Sequence, residues 1–280
     1  MKFILKNLKI TRIKLLIAKI LYLFVKGFFW KNILIINRNG INFQIDLNEG
    51  IDLHLFLFGS FQKHIYDNKQ IKISEDSIIF DVGANAGVIS LFFAQKIKTG
   101  FVYAFEPTDY ATKKFKKNLE LNPELKDKII LNQCFVSSAC ENKPDIKAFS
   151  SWPIISKEKK HNIHQGVLKS TNNISSITID KFCEINNINK LDLIKIDTDG
   201  HEFKVFKGAE KTILQLRPQI IFELGIYVMS EHGISFKDYI NYFEKLSYKM
   251  ITEKDQEIND TNYLDFIPKY GTIDIIAIPK

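Results

Sequence analysis

Short apolar runs alternate along this chain with segments whose apolar residues recur every three or four positions, and that alternation predicts strands followed by helices. Ile78, Ile79, Phe80 and Val82 form a first buried strand. Val88, Leu91, Phe92 and Gln95 then share one face of a helix starting near Ala86, which packs back onto that strand. "GFVYAFEP" reads as a second strand ending at Glu106, followed by a helix from Asp109 to Leu121, and "DKIILNQCFV" as a third strand. "KLDLIKID" from Lys190 is the fourth, "HEFKVFKGAEKTILQL" the helix after it and "PQIIFELG" the fifth. "FKDYINYFEKL" predicts a further helix, and "YKMIT" and "TIDIIAI" two closing strands. Repeated β-α units of this kind make an α/β fold, a doubly wound parallel sheet with helices on both faces.

Residues 1–76 follow a different pattern. From Asn32 to Ile45 alternating apolar residues suggest a small hairpin with "NRNG" as its turn, and a short helix leads in from Asp52. Before them lies an amphipathic helix. Arg12, Lys19 and Lys26 recur every seven residues and share a face with Lys9, whereas Ile10, Ile13, Ile17, Leu21, Phe24 and Phe28 lie largely elsewhere, with Lys14 the exception. Lysines at 14, 19 and 26 leave no uninterrupted run of about 20 apolar residues to span a bilayer. Two readings stay open. The helix lies on an anionic membrane surface with Phe28, Phe29 and Trp30 as anchors, or its stripe docks on its own domain. The sheet domain is expected over residues 77–280, with a polar, lysine-rich insertion at 137–173 that serves as a lid over the sheet edge. A second long loop runs from Glu253 to Gly271.

Composition narrows the function classes. The formal charge of +7 comes from lysines at the N-terminus and in the insertion, so it makes no uniform basic coat and nucleic acid is not the expected partner. Cys134, Cys140 and Cys183 show neither paired-ligand spacing nor a disulfide framework, which suits a reducing, cytoplasmic compartment. Oligomeric state is not readable.

The candidate chemistry begins at "FDVGANAG". Strand, tight turn and helix form a nucleotide cradle: Gly83 and Gly87 remove side chains where a ligand approaches the backbone, and Asn85 tolerates a left-handed conformation between them. Acids stand at four of the five strand ends, as Asp81, Glu106, Asp197 and Glu223, with Asp199 close behind. A carboxylate at Glu106 can accept both hydroxyls of a ribose. "GANAG" lacks the second glycine that admits a dinucleotide pyrophosphate, and no phosphate-loop Gly-Lys-Ser/Thr occurs. A nucleoside without phosphates fits better, and S-adenosylmethionine needs a glycine turn, an acid and an apolar slot for adenine.

"FDVGANAG", "AFEP", "SSITIDKF", "LIKIDTDGHEFKVFKGAE" and "RPQIIFELG", in that order, resemble the FkbM-type methyltransferases. The resemblance covers roughly residues 77–246. It implies a class I, Rossmann-like sheet, mostly parallel with an antiparallel last strand, and S-adenosylmethionine as cofactor. By the same resemblance Asp81, Gly83, Asn85 and Gly87 line the methionine portion, Glu106 takes the ribose, and the loop from Phe135 through Ser137 to Ser138 borders adenine. The family pattern favours Val-Glu where this chain has Thr198-Asp199, one methylene shorter. O-methylation of a glycan, glycolipid or related metabolite is the implied reaction.

Methyl transfer to a hydroxyl needs in-line alignment and a group to take the proton. Asp197 is the first candidate base, followed by Glu223 and His201, the last kept neutral at the start of a helix. Trp152 in "SSWPI" is the candidate for stacking on an acceptor sugar, with core packing of its indole as the competing account. His161 and His164 have a possible metal spacing but sit among lysines, and Asp197, Asp199 and Glu223 could hold magnesium; no metal is assigned. Two other functions remain in competition, a nicotinamide-dependent reductase or epimerase on a similar sheet and a noncatalytic membrane-surface binding protein.

Overall fold

The computed structural model describes residues 10–29, 31–171 and 173–280. Lys9 and Trp30 lie outside the described residues, as do the side chains of Ile10, Arg12, Ile13 and Lys14. A helix spans Ile10–Phe28, then strands β1 (Ile33–Arg38) and β2 (Ile41–Asp46) form the expected hairpin, with Asn39 and Gly40 both at positive φ in its turn. Helices Gly50–Phe58 and Lys63–Tyr66 lead to the main sheet.

That sheet contains β3 (Ile78–Val82), β4 (Phe101–Phe105), β5 (Ile129–Asn132), β10 (Leu193–Ile196), β11 (Gln219–Gly225), β12 (Tyr248–Thr252) and β13 (Thr272–Pro279). Their order is β5-β4-β3-β10-β11-β13-β12, and β13 runs antiparallel to both of its neighbours while the other pairs are parallel. This is the mostly parallel sheet with one antiparallel strand that the sequence leads one to expect. Chain order reverses between β3 and β10, where a crevice opens outside the carboxyl ends of the strands. The strands read as near-continuous apolar runs because both faces are covered. Ile79, Val102, Leu193 and Ile221 belong to one core, whereas Phe80, Phe105, Ile194 and Phe222 belong to the other.

Several elements depart from the sequence expectation. The helix after β3 spans Val88–Lys96 and is buried from Val88 to Ala94 on every side, so it has no solvent stripe apart from its last residues. Its outer side is covered by the N-terminal segment: Tyr66 stacks on Phe92 at 4.2 Å and Phe43 meets the same ring at 5.9 Å. Ile41, Phe43, Ile45 and Leu47 of the hairpin share the core of Leu91 and Phe93. The helix expected after β10 is two, Glu202–Lys207 and Glu210–Leu216. The second starts afresh because the Asp180 carboxylate accepts the N-H groups of Lys211 and Thr212 at 3.2 and 2.7 Å. A helix at Ile226–Glu231 follows β11 unannounced.

The third apolar run also divides. β5 ends at Asn132, and Phe135–Val136 (β6) leaves the sheet to pair with Ser176–Ile177 (β9), framing the insertion. Inside it Phe149–Ser151 (β7) pairs with Val167–Leu168 (β8). Glu49 fastens this segment by accepting the Ser151 hydroxyl at 2.7 Å, the Trp152 N-H at 2.9 Å and the Tyr110 hydroxyl at 2.9 Å. Burial of Phe92 between the two layers predicts that Phe92→Ala lowers unfolding free energy by about 3–5 kcal/mol, read as a fall in the urea midpoint at unchanged slope.

Candidate active site

The glycine turn after β3 is built from three left-handed residues, Gly83 (φ 76°), Asn85 (φ 51°) and Gly87 (φ 79°). The space left by the missing side chains is filled by the protein itself. A Cβ on Gly83 would fall 1.8 Å from the Asp197 carbonyl oxygen, and one on Gly87 2.2 Å from the Phe115 ring. These glycines therefore admit the end of β10 and a helix side chain, a tighter constraint than approach of a ligand alone. Asn85 donates its N-H to Glu106 Oε2 at 3.0 Å, and its side chain accepts the Ala86 N-H at 2.7 Å.

Above the turn lies a cavity of about 500 Å³. Gly83, Asn85, Glu106, Phe135, Asp197, His201 and Glu223 line it, together with Asp199, Trp152 and His164. Asp81, Gly87 and Ser137 do not. Asp81 is fully buried beneath the floor, its Oδ2 accepting the Ser90 hydroxyl at 2.5 Å and its Oδ1 facing the Lys195 ammonium at 3.1 Å. Ser137 is engaged through its backbone, which donates to the Ile177 carbonyl at 3.0 Å. Trp152 is half-buried at the cavity wall, and the His161 and His164 rings stack at 3.8 Å.

The cavity is rich in acid. Glu106, Asp197, Asp199 and Glu223 line it against the cations Lys147 and Lys195. Burial raises the pKa of all four carboxyls. For Glu106, hydrogen bonds from the Thr108 hydroxyl at 2.6 Å and the Thr108 and Asn85 N-H groups oppose that rise. For Asp199 and Glu223 the neighbouring Asp197 adds to it, and both stand well above the ordinary carboxylate range. Thr272 donates its hydroxyl to Glu223 at 2.6 Å. Glu202 closes the turn before its helix, accepting the Thr198 and Gly200 N-H groups, while Asp199 takes φ 52° on the cavity wall. His201 is held neutral: burial, then His232 and Lys204, depress its pKa to about 4, and its Nδ1 has no hydrogen-bond partner.

Residues 81–250 match the Methyltransferase FkbM domain family. The chain belongs to that family. Methyltransferase sdnD of Sordaria araneosa is 24% identical over 188 residues, covering 58% of this chain and 71% of that protein. Hexuronic acid methyltransferase AglP of Haloferax volcanii is 28% identical over 139 residues, 50% of this chain and 52% of that one. Among solved structures, methyltransferase FkbM from Methylobacillus flagellatus KT aligns over 74% of this chain and 44% of its own with a TM-score of 0.48 and 16% identity. The chain thus spans less than half of that crystal chain and about half of AglP.

The main residue that sequence reasoning missed is Lys195. It stands in register with Asp81 on the neighbouring strand, lines the cavity, donates to the Gly83 carbonyl at 2.9 Å and lies 3.9 Å from Asp197. Burial disfavours its charge, yet the Asp81 and Asp197 carboxylates more than offset this and raise its pKa. A lone lysine inside the apolar "LIKI" was the available signal. Tyr110 and Lys114 bind Glu49 and Asp52 and tie their helix to the N-terminal segment.

Lys195→Met leaves Asp81 buried without its cation and is expected to cost about 3–5 kcal/mol of stability, measured by urea unfolding. The raised carboxyls set a pH dependence. Asp199 and Glu223 bind protons more tightly folded than unfolded, so stability falls as pH rises from about 4 through their raised folded values. The double variant Asp199→Asn, Glu223→Gln should flatten that decline in unfolding curves taken across the same range.

Proposed function

We propose that this protein transfers the methyl group of S-adenosylmethionine to a hydroxyl of a glycan, glycolipid or related metabolite. The observation that carries the reading is the excess of carboxyls around a cavity outside the switch point of the sheet. Crowded, desolvated anions favour a cationic ligand, and a sulfonium is one. The pyrophosphate of a nicotinamide dinucleotide would place further negative charge among them, which counts against the reductase alternative. The name of AglP speaks of a hexuronic acid acceptor, and a sugar hydroxyl is the acceptor class adopted here.

The residues present fit such a cofactor. Glu106 Oε1 already accepts from the Thr108 N-H and hydroxyl and Oε2 from the Asn85 N-H, which leaves one lone pair on Oε2 to accept a ribose hydroxyl. Cys134, Phe135 and Val136 offer an apolar wall suited to adenine. The Gly83–Gly87 turn would hold the amino-acid end, with Asp81 and Lys195 stiffening it from below. Bound there, S-adenosylmethionine would supply an electrophilic methyl whose bond to sulfur breaks as the bond to the acceptor oxygen forms. Asp197 would take the hydroxyl proton. Its raised pKa makes it a stronger base than an ordinary carboxylate, and its side chain is partly open to the cavity. Glu223 and His201 line the same space and would orient the acceptor.

Calorimetry is expected to give saturable uptake of S-adenosylmethionine and only dilution heat with NADH; the reverse result overturns the proposal. Glu106→Ala should weaken cofactor binding about 10- to 100-fold, the worth of one hydrogen bond to a charged group. Asp197→Asn should lower turnover about 10²- to 10⁴-fold with cofactor affinity little changed. Mass spectrometry of glycans from cells with and without the gene would find the acceptor as a species heavier by one methylene.

A further inference from the structure

The helix Ile10–Phe28 carries two apolar faces, and the domain covers one of them. Tyr22 and Val25 are buried against the rest of the protein. Leu16, Ile17, Ile20, Leu23, Phe24 and Phe28 are between 52% and 70% exposed. At 3.6 residues per turn these six share an arc of about 140° on a different side from Tyr22 and Val25. The following strand β1 adds Ile33 and Ile35, also more than half exposed. Single exposed apolar side chains are ordinary, but six on one helix face mark an interaction surface.

Charge decides what covers it. Residues 1–45 hold seven lysines, two arginines and no acid, although the whole chain carries only +7. The rest of the protein is therefore slightly negative, and the positive charge is gathered in the stretch of sequence that contains the helix. Lys19 borders that arc and Lys31 follows the helix, both exposed. Lys160 of the insertion lies near enough to Lys19 for the two charges to repel, with Lys157 and Lys159 exposed in the same segment. Two copies meeting through this face would set one basic border against another. An anionic bilayer answers both features, since the acyl boundary receives the apolar arc and the headgroups receive the lysines.

We propose that this face seats the protein on the surface of an anionic lipid bilayer, with the helix Ile10–Phe28 lying in the interfacial plane. No helix among the described residues is long and apolar enough to cross a membrane. The attachment is peripheral and depends on apolar insertion and headgroup attraction together.

Vesicle sedimentation of the full chain tests this without any need for methyl transfer. The wild type is expected to co-sediment with phosphatidylcholine vesicles containing phosphatidylglycerol, to leave pure phosphatidylcholine vesicles largely unoccupied, and to be released by added NaCl. Lys19→Glu with Lys31→Glu should lower partitioning to the anionic vesicles by about tenfold or more. Ile20→Glu with Phe24→Glu should lower it at least as far and at every salt concentration. All four positions are exposed, and an unchanged circular dichroism spectrum and melting midpoint would show that the fold survives. Absence of wild-type partitioning, or equal uptake by neutral and anionic vesicles, overturns the proposal independently of either variant. A lipid-free dimer that Ile20→Glu with Phe24→Glu dissociates would also overturn it, in favour of a second copy as the occupant.

Discussion

One buried cation holds the cavity edge of the sheet together. Lys195 rises from the middle of a strand covered on both faces, where an unpaired charge would be strongly unfavourable, and it meets Asp81 on the adjacent strand in direct register. Asp81 in turn holds Ser90 on the first helix, and Lys195 holds the carbonyl of Gly83 in the turn between them. Strand, turn and helix are thus positioned by one ammonium group. The end of β10 then packs so close to Gly83 that only a glycine fits.

The same cation leaves the cavity above it short of positive charge. Lys195 is shared between Asp81 and Asp197, and around Asp199 and Glu223 burial and the neighbouring carboxyls outweigh any cation. Such a site is stressed when its carboxyls are ionised, and it gains most from a ligand that brings positive charge or accepts their protons. His201, kept neutral on the same wall, adds no charge to relieve that stress. The pH dependence of stability therefore follows from one electrostatic imbalance.

The N-terminal segment links this site to the outside of the molecule. Glu49 and Asp52 bind Tyr110 and Lys114 on the helix Asp109–Glu120, and Glu49 also fastens the insertion that walls the cavity. Helix Gly50–Phe58 contributes Ile51 and His54 to the cavity lining and packs against helix Ile10–Phe28 through its other contacts. The layer that covers the first helix of the domain is also the layer that presents the basic, apolar surface.

Strand positions, the left-handed Asn85 and the acids at the strand ends were all legible in the chain, because spacing of apolar residues and local backbone preference act over a few neighbouring positions. The complete burial of Val88–Ala94 was not, since the residues that cover it, Phe43 and Tyr66, come from a segment whose own pattern says only hairpin and helix. Nor could spacing reveal that Asp81 lies below the cavity floor while Lys195 lines it. The sequence by itself determined the order of elements and the kinds of group delivered to one edge. Which groups meet, which are buried and which carboxyls crowd one another were decided by tertiary structure alone, because those depend on distances between residues from tens to more than a hundred positions apart.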